Sequence, residues 1–264
     1  MSREALRRCD EFILGFDREC AERIEPVEGG FAMLTPSLPL VWAVNYVMFE
    51  QAGLKAERMA EVCDQALGEA GYTHREIYVL DSAEGERLEP DFLGMGWEVN
   101  RDVFMLHRSE PDRPAPEDVD VRCEPHPVSL RRELLHEDEQ LRNEPETLAL
   151  LVEQLLEVER RQSPIGGDRW FVADADGEPA SATRLLACDG IGQVEDVATL
   201  ASARNRGLAR ATVLAAVEAS REEGNELTFV IADADDWPMK LYERLGFEPI
   251  GVLRSFRTAR RSRS

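Results

Sequence analysis

Val194-Glu-Asp-Val-Ala-Thr-Leu-Ala-Ser-Ala-Arg-Asn-Arg-Gly-Leu-Ala-Arg210 is the stretch that decides how this chain is read. An extended apolar segment, predicted as a strand over 193–200, runs through a short loop into a helix predicted over 207–223 and stopped by Gly224. A helix start leaves four backbone N–H groups without partners and carries the positive end of the macrodipole, so it can hold an anion. Gly207 lets the backbone approach a phosphate with no Cβ in the way, and Ala209 is the next smallest choice. Arg204, Arg206 and Arg210 add positive charge there in an otherwise acidic chain, which suits a diphosphate. The run is not a Walker loop, because no Gly-Lys-Ser/Thr follows, and it is not the GxGxxG dinucleotide fingerprint. Taken alone, it also fits a solvated, arginine-rich first turn.

Beyond the helix, Leu227-Thr-Phe-Val-Ile-Ala232 is a fully apolar strand, which places it centrally in a sheet. A short helix over 238–245 follows, opened by Pro238 at its first position, and contains Leu241-Tyr242-Glu-Arg-Leu-Gly246-Phe247. Arg204-x-x-Gly207-x-Ala209 and the Tyr242 motif, with one helix and one apolar strand between them, resemble the GCN5-related N-acetyltransferases, the GNAT superfamily. The resemblance covers about 119–258. It implies an α/β fold with a mixed sheet, acetyl-CoA as cosubstrate and direct acyl transfer to an amine in a ternary complex. It also implies that the loop from Arg204 through Asn205, Arg206, Gly207, Leu208 and Ala209 to Arg210 grips the coenzyme A pyrophosphate through backbone amides. The strand edge at Val197, Ala198 and Thr199 binds the pantetheine arm and polarises the carbonyl, in a gap where this strand splays from 227–232. Tyr242 serves as general acid for the departing thiolate. The family commonly has asparagine seven residues before the tyrosine and alanine four before it; here stand Asp235 and Pro238. Asp235 can accept a hydrogen bond from the pantetheine arm but its carboxylate cannot donate one. The base is Glu195 or Asp196, which strand alternation sends to opposite faces, and Glu195 is favoured. The reading from another class is a non-catalytic acyl-CoA-binding or regulatory module, against which Tyr242 argues.

Upstream, a short strand is expected at 119–123, helices at 129–141 and 146–160, and strands at 169–173 and 180–187; strands near 248–253 and at Phe256 close the domain. Residues 109–118, Ser-Glu-Pro-Asp-Arg-Pro-Ala-Pro-Glu-Asp, read as a linker that cannot enter a core. The chain thus divides into an N-terminal domain over 1–108, the linker, a catalytic domain over 119–258 and a basic tail over 259–264. The first thirty residues read as an amphipathic helix, followed by a strand over 41–49, a helix over 55–69 ended by Gly71, and strands at 76–80 and 103–107. Phe92-Leu-Gly-Met-Gly-Trp97 stands beside Tyr242-Glu-Arg-Leu-Gly-Phe247 as a repeat of aromatic, three residues, glycine, aromatic. The N-terminal domain therefore reads as a degenerate, partial GNAT-like half: Phe92 has no hydroxyl to give, and no arginine occupies 50–55.

The 264 residues carry a net charge of −21, which excludes nucleic acid as a natural partner, since phosphate binding needs a positive field. No apolar stretch is long enough to span a bilayer, and the N-terminus lacks the apolar core of a signal peptide, so the expected location is cytoplasmic. The 5 cysteines form no CxxC pair, so neither a metal site nor a disulfide framework is expected, and each reads as buried or half-buried. His136-Glu-Asp-Glu139 is a helical face whose successive residues diverge, and hence no metal cluster; the resemblance, in which the first two helices border the acceptor site, implies that Glu137, Asp138 or Glu139 is a candidate for touching a cationic substrate. The expected partners are acetyl-CoA and a primary amine on a small molecule or peptide, with no membrane, and with a monomer or homodimer left open.

Overall fold

A computed structural model describes residues 2–138, 141, 146–167, 169–234 and 238–259. The fold is mixed α/β, and the chain groups into two compact units. Unit 1 holds Met1–Phe104, Asp233–Asp236 and the chain from Ile250 on; unit 2 holds Met105–Ala232 and Trp237–Pro249.

Unit 1 begins with α1 (Ser2–Cys20), which buries Cys9, Phe12, Phe16 and Cys20 at helical spacing. The helix is shorter than expected. The chain turns at Ala21 into a hairpin of β1 (Arg23–Val27) and β2 (Gly30–Leu34), closed through Glu28 and Gly29, the latter at φ +80°. Strand β3 (Tyr46–Phe49) starts later than the apolar run suggests, because the buried Asn45 side chain ties up the preceding loop. Its Oδ1 accepts the Thr35 N–H at 2.7 Å, and its Nδ2 donates to the Leu38 and Val41 carbonyls at 2.9 Å each. Helix α2 (Ala56–Glu69), β4 (His74–Val79), α3 (Ser82–Gly94) and β5 (Glu98–His107) follow. With the chain's last strand, β11 (Phe247–Ala259), the strand order is β1-β2-β3-β4-β11-β5, with β3 and β4 parallel. Here β11 is a single strand where two are expected, and its Arg254–Ala259 end pairs antiparallel with β4. One core lies between this sheet and α2–α3, around Phe49, Met59, Cys63, Ile77, Phe92 and Phe256.

Unit 2 contains β6 (Val121–Glu124), α4 (Val128–Glu137), α5 (Leu148–Gly166), β7 (Arg169–Ala175), β8 (Glu178–Cys188), β9 (Ile191–Thr199), α6 (Leu208–Glu222), β10 (Leu227–Asp233) and α7 (Pro238–Arg244). Its strand order is β10-β9-β8-β7-β6, with only the β9–β10 pair parallel. Residues Ala180–Leu186 of β8 are buried on both faces, as a central strand requires. Thr183 faces α6, hydrogen-bonding Thr212 at 2.7 Å, and Arg184 faces α5, donating to Gln162 at 2.7 Å.

The acidic, proline-rich 109–118 segment has no helix or strand, yet it is fastened to unit 2. The Asp112 N–H donates to the Arg244 carbonyl at 2.8 Å, and the Arg108 and Ser109 amides donate to the Gly246 carbonyl. Gly246 itself stands at φ +93°, and a Cβ there would overlap the Ser109 carbonyl oxygen. A left-handed L-residue costs roughly 1–2 kcal/mol and overpacking about as much again, so Gly246→Ala is expected to lower stability by about 2–4 kcal/mol. Urea unfolding checks this, and a shift below 1 kcal/mol, by about the same order of estimate, would mean that the strap yields freely.

Among the described residues no helix is long and apolar enough to cross a membrane. The cysteines are free, and Cys123 on β6 is exposed, contrary to the expectation that all five are covered. Of the expected basic tail over 259–264, Ala259 is the last residue of β11 and residues 260–264 lie outside the described residues.

Candidate active site

The site grows from the end of β9. Strands β9 and β10 pair in parallel from Ile191/Leu227 to Val194/Val230, and the register stops there. Beyond it β9 keeps its other neighbour, with Ala198 opposite Ala182 and Thr199 opposite Ser181, but has no strand partner on the β10 side among the described residues. Glu195 to Thr199 are half-buried along that edge. The gap expected at Val197, Ala198 and Thr199 is therefore present, and its mouth begins one residue past Val194.

A β-bulge opens it. The β8–β9 register shifts between Ala182 and Arg184, and Asp196 sits in the bulge at φ +55°. A bulged residue tightens the local twist and re-aims side chains, which is why bulges collect beside functional sites. Simple alternation would put Glu195 and Asp196 on opposite faces; the bulge cancels it. Glu195 lies opposite Arg184 in register, and both carboxylates act on the Arg131 guanidinium.

Beneath the bulge lies a charged cluster that sequence reasoning missed. Arg131 on α4 bonds Glu159 on α5 at 2.6 Å and Asp196 at 2.8 Å, while its guanidinium lies 5.0 Å from the Trp170 ring centre. His126 shares a 2.6 Å hydrogen bond with Glu159, and Arg184, fully buried, donates to the Glu159 carbonyl at 2.8 Å and stacks over Trp170. Burial pushes the Asp196 carboxyl above the usual range, with Arg131 opposing it. Glu159 also suffers from burial, but the His126 hydrogen bond and the Arg131 charge outweigh it and hold the carboxyl below its ordinary value. These residues are scattered over 126–196, and only the α4–α5 packing brings them together. No local motif announces them.

From Thr199 the chain passes through a 3-10 turn at Ala201–Ala203 into the loop before α6. Asn205 stands at φ +64° and Gly207 at φ +81°, so left-handed residues alternate along the loop and turn successive amides toward one side. The backbone N–H groups of Asn205, Arg206, Gly207, Leu208, Ala209 and Arg210 find no acceptor among the described residues. Open amides thus cluster at a helix start, an arrangement that can hold an anion.

The arginines are less free than their spacing suggests. Arg204 is exposed and reaches the Thr199 carbonyl at 3.4 Å. Arg206 pairs with Asp176 at 2.7 Å. Arg210 is the clearest departure: its side chain is buried and faces the 109–118 strap, bonding Asp112 at 2.8 Å and the Arg113 carbonyl at 2.9 Å. Its charge is matched there, and what it offers the loop is its amide. Leu208 is core, Ala209 half-buried, and a Cβ on Gly207 would lie 2.6 Å from Pro116 Cγ.

Tyr242 on α7 is buried, with its ring edge-on to Phe247 at 5.9 Å. Asp235 and Trp237 lie outside the described residues, as does Glu139. Glu137 accepts the Ala201 N–H at 2.7 Å and so fixes the turn after β9. No group of three metal-ligating side chains converges among the described residues.

Unit 1 repeats this design in outline. The parallel pair β3–β4 flanks α2, and α3 is followed by Gly96, φ +80°, with Phe92 and Trp97 edge-on at 5.2 Å. Gly246 and the Tyr242–Phe247 pair have the same arrangement. The chemistry differs. β3 and β4 stay paired to their ends at Phe49/Val79, and the Leu80 N–H still bonds the Phe49 carbonyl, so no gap opens. The Gly53 amide before α2 is taken by Glu84 at 3.3 Å, and Phe92 is fully buried against Phe256.

Residues 130–247 match the model of the acetyltransferase (GNAT) family. The fold is shared with a GCN5-related N-acetyltransferase from Kribbella flavida at 18% identity, covering 96% of this chain and 94% of that one, with a TM-score of 0.60. It is shared also with a functionally unknown conserved protein from Staphylococcus epidermidis, at 12% identity over 91% and 95% of the two chains and a TM-score of 0.68. A tandem GNAT protein from the clavulanic acid biosynthesis pathway matches at 15% identity over 81% and 75%, with a TM-score of 0.53. At such identities the likeness carries the fold alone. No curated protein matches the sequence.

Proposed function

We propose, on the premise that residues 130–247 form a domain of the acetyltransferase (GNAT) family, that this chain is a cytoplasmic, acetyl-CoA-dependent N-acetyltransferase. One observation carries the proposal: six open amides at the start of α6 stand at the same end of β9 where β9 and β10 part. A diphosphate needs the first feature and an extended pantetheine arm needs the second.

In this reading the amides from Asn205 to Arg210 hold the coenzyme diphosphate, with Arg204 and Arg206 at its edge. The free edge of Val197, Ala198 and Thr199 pairs with the pantetheine amides and polarises the thioester carbonyl. Asp235 accepts a further pantetheine hydrogen bond. A primary amine of a small molecule or peptide attacks the carbonyl carbon, and the tetrahedral intermediate collapses as the C–S bond breaks. Glu195 takes the ammonium proton, directly or through water, and Tyr242 gives its phenolic proton to the leaving thiolate. Asp196, tied to Arg131, positions the bulge that presents Glu195.

Unit 1 is then a degenerate GNAT-like half. Its closed β3–β4 pair, the Glu84 carboxylate on the Gly53 amide and the buried Phe92 leave it no seat for the coenzyme.

The test is acetyl-CoA binding and coenzyme A release over a panel of primary amines. Gly207→Glu is expected to weaken acetyl-CoA by at least about tenfold. A left-handed non-glycine residue alone costs roughly 1–2 kcal/mol, and the added carboxylate repels the diphosphate. Wild-type protein that binds acetyl-CoA but neither acetylates nor hydrolyses it would leave a non-catalytic acyl-CoA-binding module as the better account. An unchanged dissociation constant in Gly207→Glu would move the coenzyme away from α6.

A further inference from the structure

The 109–118 segment has the composition of a spacer, yet within unit 2 it is fastened to two helices of the candidate site. Its first fastening is the end of α7. The last carbonyls of a helix have no partner within it, and here the strap backbone serves them. The Asp112 N–H donates to the Arg244 carbonyl at 2.8 Å. Just beyond, the Gly246 carbonyl accepts the Arg108 N–H at 2.9 Å and the Ser109 N–H at 3.2 Å. Arg244 stands two residues after Tyr242 on this short helix, so what holds the helix end also holds the phenol.

The second fastening is the start of α6. Asp112 Oδ1 accepts from Arg210 Nη1 at 2.8 Å, and the same nitrogen donates to the Arg113 carbonyl at 2.9 Å. The Arg210 side chain is buried, so this pair is less screened than a surface one. Pro116 then rests on Gly207, the residue that opens the helix. Asp112 is where the two fastenings meet: its main chain is on α7 and its side chain on α6. The strap between them is stiff, because Pro111, Pro114 and Pro116 each fix φ. A semi-rigid spacer tied at two points sets the distance between them.

We infer that Asp112 is a positioning residue: through the strap it fixes the span between the open amides at the start of α6 and the Tyr242 phenol. This rests on the proposed function, in which those amides hold the coenzyme diphosphate and Tyr242 protonates the leaving thiolate. The pantetheine arm joins the two groups and lies extended along β9. A thioester anchored at the diphosphate therefore meets the phenol only if the span matches the arm. A misplacement of about 1 Å in such an arrangement can cost about 10²-fold in rate. The Arg113 carbonyl and Pro116 still bind the strap when the Asp112 carboxylate is removed, so the expected loss is smaller.

The test is a double-mutant cycle, run with the best acceptor of the primary-amine panel and well below each variant's melting temperature. Asp112→Ala is expected to lower turnover of acetyl-CoA about tenfold while its dissociation constant moves by less than about twofold. Asp112→Asn keeps an oxygen for the Arg210 guanidinium and should recover most of the rate. In Tyr242→Phe, which has no phenol left to place, adding Asp112→Ala should cost no further rate. S-acetyl-N-acetylcysteamine lacks the diphosphate and is free to follow the phenol, so its turnover should be the same with and without Asp112→Ala. Wild-type turnover of acetyl-CoA by Asp112→Ala overturns the inference. So does a loss of equal size in Tyr242→Phe or with the truncated thioester, which would mark Asp112 as a support of the fold alone. Tyr242→Phe at the wild-type rate would instead remove the acid itself, and the inference would fall with the reading beneath it.

Discussion

Tyr242→Phe is expected to lower turnover by about 10²–10⁴-fold, the usual contribution of a positioned general acid, while acetyl-CoA affinity and melting temperature stay near the wild-type values. The structure makes this substitution a clean one. Tyr242 is buried, and its ring rests edge-on against Phe247. Phenylalanine keeps that contact and removes only the hydroxyl. Unit 1 shows that such a corner accepts the change, since Phe92 occupies the same station before Gly96 and Trp97 and packs against the Trp97 and Phe256 rings. Stopped-flow detection of the free thiol separates chemistry from binding. A turnover number within a few-fold of wild type would show that the leaving thiolate takes its proton from water, and Tyr242 would lose its role.

How much of this was legible in the sequence depends on how local each feature is. The β9–loop–α6–β10–α7 succession was readable because each element has its own signal: an apolar run, a glycine stop, a proline start. The β1–β2 hairpin was not. Its first strand, Arg23-Ile-Glu-Pro-Val27, is mostly exposed at a sheet edge and shows no apolar alternation, so the helix before it seemed to continue. The apolar stretch from Val41 ran past its true strand start because the capping work of Asn45 depends on Thr35 and Leu38, fixed only in three dimensions. The last strand reads as two, with a break between 253 and Phe256, because Arg254 and Ser255 interrupt the apolar run; the Arg254 side chain bonds Glu89 of α3 at 2.8 Å, a partner fixed only in three dimensions. In the site, the amides and the gap followed from glycine placement and family spacing. The fate of Arg210 did not, since its partner Asp112 lies in a segment whose composition says only that it stays outside the core.

The charged cluster under the bulge gives the second large effect. Arg131 is 3% exposed and bridges two acids, Glu159 and Asp196, from different elements. Replacing a buried ion-pair partner leaves its counter-charges uncompensated, which typically costs about 3–5 kcal/mol. Arg131→Met is thus expected to destabilise unit 2 by that order, seen as a fall in melting temperature on the order of 10 °C. The effect has a pH signature. Without the guanidinium, burial raises the folded-state carboxyls of Asp196 and Glu159 above their unfolded values. Groups shifted that way contribute stability that is present below the unfolded pKa and lost as pH rises through the folded one. The deficit against wild type should therefore be small in acid and full near neutrality. Adding Asp196→Asn to Arg131→Met should recover part of the loss, because one stranded charge is gone. Arg131→Lys should not rescue fully, since an ammonium cannot fork between both carboxylates while lying on the Trp170 face. Turnover of Arg131→Met, assayed well below its melting point, should also fall, because the bulge at Asp196 is what aims Glu195. A variant that matches the wild type in stability and rate would show that β9 holds its bulge by backbone pairing alone.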